Sequence, residues 1–128
     1  MPRARRVPLL AAGLVLSMAL AACGGSSGGD AATVQPESTV TATSGTPVVT
    51  IQGFAFKPKV LVIKPGMKVK FVQEDTVPHD VVGAANSAFI HSPVLKKGQS
   101  YTVTFSKPGT YSYICTIHPY MQAKVIVQ

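Results

Sequence analysis

The sequence predicts an all-β fold, a Greek-key β-sandwich or barrel, for residues 47–128. Three observations carry this expectation. Five short segments, residues 48–51, 60–63, 68–72, 101–105 and 124–127, are rich in β-branched and aromatic side chains, and several alternate with a period of two. Between them stand Lys64-Pro65-Gly66, Lys96-Lys97-Gly98 and Lys107-Pro108-Gly109, where glycine accepts a positive torsion and, in the first and third, proline presets the one before it. No segment carries the apolar spacing of an amphipathic helix.

The first 22 residues have the layout of a cleaved secretory signal. Arg3, Arg5 and Arg6 form a cationic start, residues 7–19 are nearly all apolar, and Leu20-Ala21-Ala22-Cys23 closes the segment with small residues. The apolar run is too short for a comfortable membrane span. The closing tetrapeptide resembles the lipobox of bacterial lipoproteins, which implies that Cys23 is acylated and becomes the first residue of the mature chain. Two or more acyl chains on one residue hold a protein to a membrane stably, where a single chain does not. The expected location is therefore extracytoplasmic, on the outer face of the bacterial cytoplasmic membrane.

Residues 24–46, GGSSGGDAATVQPESTVTATSGT, hold almost no large apolar side chain and no period, so they read with Cys23 as a flexible tether over 23–46. As a coil they have a root-mean-square reach of about 25 Å. The mature chain has nine lysines, no arginine and five acids, a formal +4. Its lysines alternate along strands or sit near turns, as on a solvated face, and no basic run suggests a nucleic-acid partner.

The 82 residues of the folded part are few enough that a staple is expected, yet the domain's only cysteine is Cys115. A lone thiol in an oxidising compartment needs a reason to survive. In Gly109-Thr110-Tyr111-Ser112-Tyr113-Ile114-Cys115, alternation puts Tyr111, Tyr113 and Cys115 on one face, and the bulk of the tyrosines makes that the inner one. Cys115 is thus expected at the end of an interior strand, at one pole of the sandwich.

Cys115, His118 and Met121 follow at i, i+3 and i+6 on a segment that Pro119 forces to turn, so a loop can aim all three at one centre. Thiolate, imidazole and thioether select copper over calcium, magnesium or manganese. A fourth ligand has two candidates, His79 and His91. His79 follows the proline turn of Thr76-Val77-Pro78 and opens an apolar run, which places it at a strand end; His91 lies in a loop-like stretch with nothing else pointing at a metal. Two imidazoles and a thiolate with a weak axial thioether are the ligand set of blue-copper electron-transfer sites.

The domain resembles the cupredoxins, and among them most the amicyanins, then plastocyanins and pseudoazurins. The resemblance runs through Phe54-Ala55-Phe56-Lys57-Pro58, Lys64-Pro65-Gly66, Pro78-His79, Gly109-Thr110-Tyr111 and Cys115-Thr116-Ile117-His118-Pro119-Tyr120-Met121, and the two-residue gap between His118 and Met121 is its amicyanin-like feature. It implies one type 1 copper ion, with His79, Cys115 and His118 in the plane and Met121 axial. It also implies that His118 is the ligand nearest solvent, passing electrons to and from a redox donor and acceptor through an apolar patch that includes Pro119 and Tyr120. One position departs from the pattern: Asp80 stands where the family usually has asparagine, whose side chain ties the ligand loops together through the hydroxyl residue after the cysteine, here Thr116. The bond survives if the threonine donates.

Three other readings use the same residues. A hydrolase with Cys115 as nucleophile and His118 as base lacks an evident oxyanion-stabilising glycine segment. A zinc site would use the same nitrogen and sulfur donors, though thioether is a poor zinc ligand. An extracytoplasmic copper-delivery protein would keep the metal and change the role; sites that pass copper on are expected to be more open. The non-enzymatic electron carrier accounts for all four residues.

Overall fold

In the computed structural model the described residues are 37–128; the signal segment, Cys23 and the tether before residue 37 lie outside them. Nine strands form: β1 Thr39–Thr41, β2 Val48–Ile51, β3 Phe56–Lys57, β4 Val60–Ile63, β5 Met67–Gln73, β6 Val82–Gly83, β7 Ser100–Phe105, β8 Gly109–Ile114 and β9 Gln122–Val127, with a single 3-10 turn at Ala85–Ser87. They make two sheets, one ordered β1-β4-β9-β8-β6 and the other β3-β2-β5-β7. The five segments singled out by composition are all strands, lengthened at most by a residue or two at their ends.

Parallel pairs β1–β4, β4–β9 and β2–β5 stand beside antiparallel β8–β9 and β5–β7, which is the crossing pattern of a Greek-key sandwich rather than a meander. The Lys64-Pro65-Gly66 turn is as expected: Gly66 has φ 89°, and its N–H donates to the Phe105 carbonyl at 2.6 Å. At the third turn the Tyr111 hydroxyl donates to the Lys107 carbonyl at 2.7 Å, fastening the start of β8.

Part of the stretch expected to be tether is a strand. Thr39–Thr41 pairs in parallel with β4, Thr39 opposite Val60, and the Lys59 N–H donates to Ser38 Oγ. Glu37 bridges Lys59 and Lys124 at 3.3 and 3.7 Å. All three β1 side chains are exposed, so no burial pattern marks the strand. Its stabilisation comes from main-chain bonds that cover the edge of β4.

Alternation fills the space between the sheets. Val49, Ile51, Leu61, Ile63, Val69, Phe71, Phe105 and Val125 are fully buried or nearly so, each burial contributing about 1.5–3 kcal/mol. Tyr111, Tyr113 and Cys115 all point inward, as expected of β8. The Tyr113 ring meets Phe56 and Phe71 edge to face, with centroids 4.9 and 5.2 Å away. Its hydroxyl is buried without a hydrogen-bond partner. Burial accordingly pushes the phenol's ionisation above its ordinary range.

Removing that hydroxyl has a predictable outcome. Tyr113→Phe keeps both ring contacts and relieves an unsatisfied buried group, so stability stays level or rises by about 1 kcal/mol. Urea unfolding of the two proteins checks this; a loss of stability would mean that the hydroxyl is satisfied in solution.

Candidate metal centre

β8 carries Cys115 out of the interior, and the chain turns through residues 116–121 before β9 begins. Two main-chain bonds shape this loop: the Cys115 N–H donates to the Met121 carbonyl at 3.1 Å and the Met121 N–H to the His118 carbonyl at 2.9 Å. Met121 is buried at the base of the loop, beside Cys115. His79 comes from the other side, where its N–H and carbonyl both pair with Leu95 in a single bridge.

The loops converge. His79 Nδ1 lies 3.7 Å and His118 Nδ1 3.8 Å from Cys115 Sγ, and the two nitrogens are 3.1 Å apart. A point equidistant from the three atoms lies about 2.1 Å from each, the usual metal bond to imidazole and within about 0.2 Å of that to thiolate. His79 and Cys115 are fully buried and His118 is half-buried. Geometry and donor chemistry thus both fit a soft, late transition metal.

Around this triangle the chain fixes the ligands' orientation. His79 Nε2 lies 2.8 Å from Asp75 Oδ2, so the carboxylate holds the proton on Nε2 and leaves the Nδ1 lone pair free to face the centre. Asp75 also accepts the N–H groups of Gly53 at 2.7 Å and Phe54 at 3.0 Å. Partial burial pushes the Asp75 carboxyl up, but the bonds from Phe54, Gly53 and His79 together outweigh it and hold the group below its ordinary value. Phe54 has φ 55°, a left-handed conformation unfavourable for a bulky residue, and the Asp75 clamp offsets that strain. Held there, its ring meets both histidines edge on, at 5.6 Å from His79 and 5.1 Å from His118.

Asp80 is buried and joins the loops directly. Its Oδ1 accepts the Thr116 N–H at 2.6 Å and its Oδ2 accepts the Thr116 hydroxyl. The threonine donates, and the backbone adds a second bond. His91 is exposed and stands outside the group; its N–H donates to the Tyr101 hydroxyl at 3.0 Å. Asp75 was not among the residues singled out from sequence, and Phe54 entered only within the stretch that carries the resemblance, with no role at the site. Asp75 offered one signal, a carboxylate four residues before His79, but nothing local distinguishes it from Glu74.

The family follows from comparison with known proteins. Residues 43–128 match the family model described as copper binding proteins, plastocyanin/azurin family. The chain belongs to that family. Its metal is copper, one type 1 ion, and the convergent nitrogen and sulfur atoms are in keeping with it. Amicyanin from Paracoccus denitrificans is 36% identical over 105 residues, covering 77% of this chain and 80% of that protein. The crystal structure of amicyanin from Paracoccus versutus superposes with a TM-score of 0.61 at 32% identity, covering 66% of this chain and 83% of that one. A copper-containing nitrite reductase from Thermus scotoductus gives a TM-score of 0.66 at 33% identity over 72% of this chain, which spans only 28% of the reductase. This cupredoxin therefore has the sandwich fold expected of it.

Asp75 makes a prediction specific to this cupredoxin. Because its folded-state ionisation is depressed, it contributes stability that is present above about pH 4 and lost as pH falls through the lower folded value. In the metal-free protein, Asp75→Asn should flatten that part of the stability–pH curve. In the copper-loaded protein it should weaken metal binding roughly 10- to 100-fold, the usual cost of losing a partner that orients a ligand. Unfolding titrations from pH 3 to 7 and competition with a copper chelator measure the two effects.

Proposed function

We propose that this cupredoxin is a membrane-tethered blue copper electron-transfer protein in which His79 Nδ1, Cys115 Sγ and His118 Nδ1 hold copper in a plane and the Met121 thioether is axial. The carrying observation is the triangle of donor atoms, already at bonding size and fixed by its surroundings. Bound there, copper supplies a one-electron Cu(II)/Cu(I) couple. The chain's part is to keep the ligands still. Asp75 fixes the His79 ring, Asp80 ties its loop to Thr116, and the Cys115 and Met121 main-chain bonds close the third side. A site that cannot rearrange adds little reorganisation to each transfer.

His118 is the only one of the four that reaches solvent appreciably, and exposed Phe54, Ile117 and Tyr120 surround it. That apolar rim suits close docking of a redox donor and acceptor, with His118 as the electron's route. The role proposed is a carrier, without catalysis and without nucleic acid. Cys23, as the acylated residue, places the protein outside the cytoplasm; among the described residues no helix is long and apolar enough to cross the membrane. Burial of His79, Cys115 and Met121 favours retention of the metal over its delivery. Titrating the purified protein with copper(II) tests the choice: intense absorption toward the red end of the visible and reversible one-electron reduction fit a carrier. A pale complex that loses copper readily to a chelator would fit delivery instead.

A further inference from the structure

We propose that Phe54 is the positioning residue of His118, a latch that holds its imidazole turned toward the metal centre. The inference rests on the reading of the site as a copper centre and concerns how the chain keeps its least restrained ligand in place. His79 is buried, and Asp75 fixes its ring through Nε2. Cys115 and Met121 are buried and close the base of the loop through their main chains. His118 is only half-buried, its Nδ1 faces Cys115 and His79, and its Nε2 makes no hydrogen bond among the described residues. Besides His79, the rings beside it are Phe54, 5.1 Å away at 88°, and Tyr120, farther off at 6.1 Å and itself 68% exposed.

The turn that carries Phe54 is built against local preference. Residues 53 and 54 are the central pair of the hairpin loop between β2 and β3, which the Gln52 N–H closes by donating to the Ala55 carbonyl at 3.0 Å. Both have positive φ, 64° at Gly53 and 55° at Phe54. Glycine or asparagine suits the second position and a bulky aromatic residue does not. Phe54 is 42% exposed, so burial offsets little of that cost. Strain kept at a position where glycine would relieve it points to a functional constraint. Here the strained residue stands edge-to-face with the imidazole of His118. Asp75 supplies the hold, since its carboxylate accepts both turn N–H groups and also bonds His79 Nε2. One carboxylate thus sets the first histidine directly and the second through the Phe54 ring. The usual strength of an edge-to-face pair shifts the balance between two ring orientations by about 2- to 10-fold.

Phe54→Gly separates this role from a stabilising one. Glycine keeps the turn's N–H groups for Asp75, accepts the positive φ and removes only the ring. Metal-free stability, read by urea unfolding, therefore holds or rises. Carbon relaxation of the His118 ring by nuclear magnetic resonance, in the metal-free and the copper(I) protein, should show the turned-away orientation populated about 2- to 10-fold more. Loss of copper(I) to a chelator should quicken severalfold. Phe54→Tyr restores the ring and should return both readings to their original values; no return with tyrosine assigns the effect to the turn instead of the ring and overturns the proposal. A glycine variant that is less stable, with a His118 ring no more mobile than before, makes Phe54 a packing residue and overturns it as well. Failure of the copper reading shows separately. An original protein that binds copper(II) without intense visible absorption overturns that reading, and the metal-free ring measurement still decides the latch.

Discussion

Replacing Cys115 by serine abolishes the intense visible absorption of the copper-loaded protein and weakens copper binding by more than about 100-fold, since loss of even an outer partner of a ligand costs 10- to 100-fold. The colour depends on a thiolate bond to copper(II), and a hydroxyl offers neither the softness nor the covalency. The substitution also separates the electron carrier from a hydrolase, because it tests a metal ligand with a spectrum rather than with turnover. Cys115 is fully buried at the end of β8 with two imidazole nitrogens within 4 Å, so a serine hydroxyl keeps hydrogen-bond partners and metal-free stability falls by no more than about 1–2 kcal/mol. Absorption spectra, chelator competition and metal-free unfolding curves distinguish the two effects. A Cys115→Ser protein that kept the colour would remove Cys115 from the site.

Why the thiol stays unpaired is now a structural matter. The domain has no second cysteine to pair with it, and Cys115 is fully buried with two imidazole nitrogens within 4 Å. The convergence of Cys115 and His118 was legible in sequence because it is local: with Met121 they put three donor types at i, i+3 and i+6 on a loop that a proline forces to turn. His79 was legible from its proline turn, though its strand proves to be only a bridge to Leu95. The Asp80–Thr116 bond was anticipated from a family resemblance, since 36 residues separate the partners and no local pattern links them. Asp75 and Phe54 were not legible for the same physical reason. Their contact spans 21 residues, and the strained turn at Gly53 and Phe54 has no preference of its own for the geometry that puts a phenylalanine over two histidines. Strand β1 escaped notice because exposed threonines carry no burial pattern, and edge pairing is a main-chain event.

Asp80→Asn raises the reduction potential of the copper site, and asparagine is the residue that the resemblance read from the sequence implies at this position. The carboxylate lies next to His79 and bonds to the residue after Cys115, so it reaches the centre through both ligand loops. Negative charge there favours the more highly charged copper(II) form. In a partly buried site with an effective dielectric constant of about 20, a neighbouring unit charge interacts by a few kcal/mol, on the order of 100 mV for one electron. Asparagine is nearly isosteric and retains one oxygen for the Thr116 N–H, so the loops stay tied and the absorption spectrum should be largely preserved. What changes is the charge and the direction of the second bond, since the amide must donate to the Thr116 hydroxyl. Voltammetry of the two proteins at neutral pH decides the point, with an upward shift expected. An unchanged potential beside an unchanged spectrum would mean that Asp80 acts on this cupredoxin only as a tie between loops.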